Sequence, residues 1–474
     1  MKATTHRMKD NAVDAMANPA LQDSLDRMKT GFSSKRAIAR DRLPEFDALR
    51  DQGRDIKNRV LANLDHYLEA FEEKVIAAGG KVHWCADAEE ANAAILGICQ
   101  SLDARTVTKG KSMISEEIGL NDYLEANDVT PVETDLGEYI IQLRHEAPSH
   151  IIAPAIHLQM RQVEETFREH HRHLDPARQL MEPPQLMGEA RAELRGRFIA
   201  ADVGITGANF LIAETGSTVI VTNEGNGDLT QTLPKAHVVV ASIEKIVPTL
   251  EDASTLMRLL ARSATGQELS VYTTFSTGPR RADDPDGPGE FHVVLLDNGR
   301  TDLLGSEFSE MLRCIRCGAC LNHCPVYGAI GGHAYGWVYP GPMGSVLSPG
   351  LIGIEDAGNM PNASTLCGRC EAVCPMHIPL PRMLRAWRER EHDKKLSPRS
   401  VRWGLDLWAM LASRPRLYQI ATGLVMKLLG RLGRRHGNFL NLPLAGGWTD
   451  HRDLPAPEGA TFMQQYRKGR RATK

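Results

Sequence analysis

Seven of the nine cysteines in this chain fall between Cys314 and Cys374. Any fold it adopts must bring those thiols together. The first run is Cys314, Cys317, Cys320 and Cys324 followed by Pro325. This is the spacing by which bacterial electron carriers hold iron–sulfur cubes. Three thiolates two residues apart on a tight turn cover three corners of a cube. Gly318 lets the backbone approach and aim N–H groups at the sulfides. Cys324, past the turn, points toward a second cluster, and Pro325 ends regular hydrogen bonding there. The second run, Cys367, Cys370 and Cys374 before Pro375, repeats the pattern with Ser364 in place of its first cysteine.

If the runs cross over, Cys314, Cys317, Cys320 and Cys374 hold one cluster. Cys324, Cys367 and Cys370 hold the other, which lacks a fourth thiolate. Ser364 through oxygen, a group such as His333 or a partner's side chain, or a three-iron form would each answer that. Two clusters are expected, both four-iron, the second with a non-cysteine or exogenous ligand. Paired zinc sites are the alternative. Zinc prefers two separated Cys-x-x-Cys pairs, and a three-cysteine run with a fourth three residues on fits that poorly. A disulfide framework would not cluster its cysteines so. Cys85 and Cys99, alone in the first half, read as small buried hydrophobes.

The chain has 474 residues and a formal charge of −3. That length predicts two or three domains. The charge is uneven. From Lys394 onward sixteen Lys and Arg face four Asp and Glu, a charge of +12 that leaves −15 for the remainder. The start, MKATTHRMKDNAVDAM, lacks an apolar core, so no secretory leader is expected. No stretch of eighteen uncharged apolar residues predicts a membrane span. A cytoplasmic protein is expected, with the inner membrane face open to its basic tail.

The first 80 residues read as helices that stop at Gly79-Gly80. KVHWCA is a strand, EEANAAILGICQSL a helix, and RTVTKGKS a strand entering a glycine turn. This alternation predicts parallel βαβ units. From Gly196 the chain turns strand-rich, with Glu214-Thr215-Gly216-Ser217 as a hairpin turn. KAHVVVASIEKIVP reads as a buried strand, EDASTLMRLLARSA as a helix, and FHVVLLDNG as the last strand. The predicted domains are 1–300, α/β with N-terminal helices; 301–390, α-helical and cluster-bearing; and 391–474, a basic extension.

Three other segments carry chemistry-bearing residues. Lys109-Gly110-Lys111-Ser112 resembles the end of a phosphate loop, but Arg105 stands where the motif needs glycine; simple anion binding stays open. Glu133, Asp135 and Glu138 read as a solvated strand end. Glu214, beside Gly216, is placed as an acyl-transfer carboxylate would be, although a polar hairpin tip is the plainer account. In the tail, Lys427, Arg431, Arg434 and Arg435 flank Leu424, Val425, Leu428, Leu429 and Leu432. That helix suits an anionic membrane, an acidic partner, or the chain's own acidic part. No nucleic acid is expected, because no stacking platform interleaves the charges.

The segments TKGKSMISEEIGLNDYLE, ETDLGEYIIQL, PSHIIAPAIH, GITGANFLIAETGSTVIVTNEGN, CIRCGACLNHCPVYGAIGGHAYGWVYPGPMG and STLCGRCEAVCP carry a wider likeness. With GGWTDHRDLPAP near the end, they resemble the lactate utilization protein B family over almost the whole chain. Its Ser364 matches the family's own pattern. The resemblance implies an α/β domain similar to the sugar-phosphate isomerase and CoA-transferase fold, then a dicluster ferredoxin-like module. It implies an iron–sulfur electron-transfer subunit of a complex oxidising L-lactate to pyruvate, working with two sibling subunits and an electron acceptor. The catalytic residues are not assigned. Two other expectations stand beside it. One is an acyl or CoA transferase using Glu214, its clusters structural or redox-sensing. The other is a redox-sensing regulator whose tail binds nucleic acid.

Overall fold

The computed structural model describes residues 3–433, 437–442, 449 and 452–472. The chain divides into two units, Met1–Glu389 and Arg390–Lys474. The first unit is built on six parallel strands: β1 (Lys81–Cys85), β2 (Thr106–Lys109), β3 (Thr130–Glu133), β4 (Val203–Gly207), β7 (Ala236–Ser242) and β10 (Glu290–Leu296). Their order across the sheet is β1-β10-β7-β4-β2-β3. The central strands β7 (AHVVVAS) and β10 (EFHVVLL) are almost continuously apolar and β-branched. Every residue of β7 is buried, as a strand covered by helices on both faces requires.

A second sheet, order β8-β5-β6-β9, holds β5 (Phe210–Ile212), β6 (Ser217–Thr222), β8 (Ile246–Val247) and β9 (Tyr272–Ser276). β5 and β6 form the expected antiparallel hairpin. Gly216 turns it at φ 67°, and a Cβ there would lie 2.7 Å from the Lys74 backbone. Only glycine suits that turn.

The N-terminal helices do more than precede the sheet. Asn18 caps the helix Pro19–Asp41 by accepting from the Leu21 N–H at 3.2 Å, and Pro19 opens it. Leu25 and Met28 from that helix, with Phe46 and Leu49 from Phe46–Leu61, share one core with Phe308, Tyr327, Tyr335 and Trp387 of the cysteine-bearing region. Phe308 and Trp387 stack at 3.9 Å, and Trp387 Nε1 donates to the Val346 carbonyl at 2.9 Å. Residues more than 300 positions apart therefore enclose the thiols together.

In the second unit the helix Arg399–Ala412 has no buried side chain. The helix Pro415–Leu432 buries only Gly423. Trp403, Trp408, Ile420, Leu424, Leu428 and Leu432 are all exposed. Arg434, Arg435 and most of the GGWTDHR segment lie outside the described residues. Among the described residues no helix is long and apolar enough to cross a membrane.

Candidate metal centre and adjoining cavity

The two cysteine runs share a backbone signature. Arg316 (φ 57°) and Gly318 (φ 72°) flank Cys317, and Leu366 (φ 53°) and Gly368 (φ 81°) flank Cys367. Two left-handed residues around one cysteine wind the chain into a cup with its N–H groups turned inward. For a non-glycine residue that conformation costs roughly 1–2 kcal/mol, so each cup is strained at one matching place, Arg316 and Leu366, while Gly318 and Gly368 adopt it freely. The Arg316 N–H donates to Cys314 Sγ at 3.4 Å, and the Tyr327 N–H to Cys324 Sγ at 3.5 Å. N–H groups of Ala319, Arg369, Glu371 and Ile378 serve Cys317, Cys367, Cys370 and Cys374 in turn. Donors aimed at sulfur stabilise thiolate and tune any metal bound to it.

The thiols fall into two neighbourhoods. Cys320 is pushed well above the ordinary thiol range by burial, then by the charges of Cys314, Cys317, Cys374 and Cys370. Burial raises Cys317 to about 12, and Cys374 is its leading thiol neighbour. Cys370, also raised to about 12 by burial, feels Cys324 and Cys367. Cys367 is exposed, and the Arg369 N–H, then a Thr365 hydrogen bond, hold it below the usual value.

Among the described residues, the one set of three ligand atoms lying mutually within 4.8 Å is carboxylate, from Glu116, Glu133 and Glu138. No three thiols are that close. Tetrahedral zinc with sulfur at about 2.3 Å would draw its thiolates to about 3.8 Å of one another. Seven neighbouring thiols, six of them under N–H donors and no three within 4.8 Å of one another, fit iron–sulfur cubes instead. Buried thiols of raised pKa ionise only when a metal takes the proton's place.

Arginines from the N-terminal helices hold this geometry. Arg36 donates to the Val373 carbonyl at 2.8 Å, and Arg50 to those of Cys374 (2.8 Å) and Ala372 (3.2 Å). Arg313 donates to the His377 carbonyl at 3.3 Å. No motif in the sequence pointed to Arg36 or Arg50; only their entry into the shared core places them.

Behind the first run lies an ion-pair network. Glu244 bonds Arg300 at 3.0 Å and Arg316 at 3.1 Å, and Glu117 bonds Arg300 at 2.7 Å. Burial drives Glu244 upward, but the two arginines override it and leave its pKa at about 2. Arg316 also lies over the Tyr339 ring at 5.0 Å. It lines a cavity of about 520 Å³, with Lys111, Asp135, Asn209, Glu224 and Lys245. The loops after β2 and β4 border this cavity and leave the sheet in opposite directions. It therefore occupies the crevice at a topological switch point, where parallel sheets receive ligands. Ile140, Ile151, Ile156, Val221 and Leu260 form its apolar walls.

The other candidate segments resolve differently. The carboxylates after β3 are not the solvated strand end expected. Glu133 and Glu138 are both 2% exposed. Parallel pairing sets Lys109 opposite Glu133, and the lysine bonds Glu133 at 2.7 Å and Glu116 at 2.9 Å. Burial, then the charges of Glu133 and Glu116, push Glu138 well above the carboxylate range. Lys109 is thus committed inside the fold, and Lys111 is the lysine of that segment facing the cavity. Glu214 is exposed on its turn and accepts from the Leu250 N–H at 3.2 Å. It does not line the cavity. His333 Nε2 bonds the Ala147 carbonyl at 2.6 Å, and its ring packs on His157. Cys85 and Cys99 are buried, 5% and 0% exposed.

Residues 68–296 match the LUD domain family, and residues 310–378 match the 4Fe-4S dicluster domain. "Lactate utilization protein B" of Lysinibacillus sphaericus is 41% identical over 98% of this chain and 97% of its own length. The chain belongs to the lactate utilization protein B family. The protein of that name in Bacillus subtilis is 39% identical over 98% of this chain and 97% of its own. The "Uncharacterized electron transport protein YkgF" of Escherichia coli is 39% identical over 99% of this chain and 98% of its own. Membership accounts for the order of parts: a parallel α/β domain followed by an iron–sulfur module.

Proposed function

We propose that this chain is an iron–sulfur electron carrier in the oxidation of L-lactate to pyruvate, working beside sibling subunits. The observation that carries the reading is the pairing of two cups, each with N–H donors aimed at sulfur. The relatives' names, one for lactate utilization and one for electron transport, supply the direction. In this reading Cys314, Cys317, Cys320 and Cys374 hold one four-iron cluster, and Cys324, Cys367 and Cys370 hold the second. Bound there, the clusters supply one-electron transfer, two of them matching the two electrons that lactate releases.

The chain's own residues do the rest. The N–H groups of both cups stabilise negative charge on the thiolates. Phe308, Tyr327, Tyr335 and Trp387 exclude water from the module's interior. Arg316 and Lys245 offer cationic groups to a substrate carboxylate in the cavity, next to the first cysteine run. The exposed helices of the tail contact a sibling subunit or an anionic membrane face.

A transferase centred on Glu214 is disfavoured, because that carboxylate caps a helix on the surface, away from the cavity. The test is spectroscopic. The reconstituted assembly, kept anaerobic, receives L-lactate while electron paramagnetic resonance is recorded. A reduced iron–sulfur signal should appear in this subunit. Full lactate turnover with this subunit's clusters never reduced would refute the proposal.

A further inference from the structure

The second thiol set is one ligand short, and the backbone indicates what completes it. Aligning the cups on their left-handed residues, Arg316 with Leu366 and Gly318 with Gly368, places Ser364 at the position of Cys314. The correspondence extends to hydrogen bonding. In the first cup the Arg316 N–H donates to Cys314 Sγ at 3.4 Å; in the second the Leu366 N–H donates to Ser364 Oγ at 3.1 Å. The same donor, two residues on, serves the ligand atom in one cup and the serine oxygen in the other. Ser364 is also pinned from behind, since Arg388 donates to its carbonyl and to that of Pro361, each at 2.9 Å.

We propose that Ser364 Oγ is the fourth protein ligand of the second cluster, an oxygen among three thiolates. This rests on the cluster reading above. On ligation the hydroxyl proton passes to water and an Fe–O bond forms, with no change of oxidation state. The Leu366 N–H then stabilises the alkoxide as the Arg316 N–H stabilises the thiolate of Cys314. The rivals are otherwise engaged. His333 bonds the Ala147 carbonyl, and the Thr365 hydroxyl already serves Cys367. One iron of this cluster is thus held by a different atom from the rest, at half-buried Ser364 beside the exposed stretch Thr365, Leu366 and Cys367. It is the iron most readily lost.

The full chain, purified anaerobically with its clusters, provides the test. Ser364→Ala should lose about one iron per chain and show an oxidised three-iron resonance. Thr365→Val should keep the wild-type iron content. Ser364→Cys should keep every iron and convert the distinct iron's Mössbauer signature to the all-thiolate pattern. If Ser364→Ala keeps the wild-type iron content and spectrum, the assignment is wrong. Should Ser364→Ala not fold, an unchanged Mössbauer spectrum in Ser364→Cys overturns it equally. Failure of the cluster reading would look different, because the wild type itself would then lack iron.

Discussion

The two cysteine runs are wound alike and situated differently. The first has a cysteine at every position and lies against the Glu244–Arg300–Arg316 network and the cavity. The second starts with a serine, and its leading cysteine is exposed. One backbone device therefore occurs in two settings, an inward one beside the cavity and an outward one at the surface. On the proposed role, a carrier that collects electrons at a substrate and passes them to a partner would use that asymmetry. The matching cups show that it comes from side chains and surroundings, not from the winding of the loops.

The comparison breaks most sharply by removing one set at a time. Cys317→Ala and Cys370→Ala should each lower the iron content from about eight to about four atoms per chain. Each should remove a different spectral component; loss of both clusters from either variant would mean that the sets are not separable. Next in size is Glu244→Gln. Breaking a buried ion pair costs about 3–5 kcal/mol, readable as a lowered denaturation midpoint, and the first cluster should suffer before the second. The pH dependence has a definite sign. With its folded pKa depressed to about 2, Glu244 contributes fully above its ordinary 4.5. That contribution is lost as pH falls toward 2.

Arg50→Met removes charged hydrogen bonds to the Cys374 and Ala372 carbonyls, a loss of about 1.5–3 kcal/mol. Cys374 stands in the second run but belongs to the first neighbourhood, so chelators should strip the first cluster faster in this variant. The smallest effect is a preference in rate. In cluster-free protein Cys367, with its lowered pKa, should be alkylated before Cys317, Cys370 or Cys374, as peptide mapping would read.

Much of this was legible in the residues. The β7 and β10 strands announce themselves as β-branched runs, the hairpin at Gly216 by its turn residues, and both cups by cysteine spacing. What stayed hidden depends on through-space partners. Tyr272–Ser276 is an edge strand paired only to β6, with no apolar run to reveal it. The burial of Glu133 follows from a register that sets Lys109 beside it, and no local pattern encodes that register. Arg36 and Arg50 meet the second run only because their helices join its core. The cavity exists because three strand ends and the Arg316 loop converge on one place.

The most direct measurement is a metal and sulfide analysis of the full chain purified with oxygen rigorously excluded. About eight iron and eight sulfide per chain are expected, with negligible zinc. A preparation in which zinc replaces iron, or in which neither metal is present, would contradict that expectation.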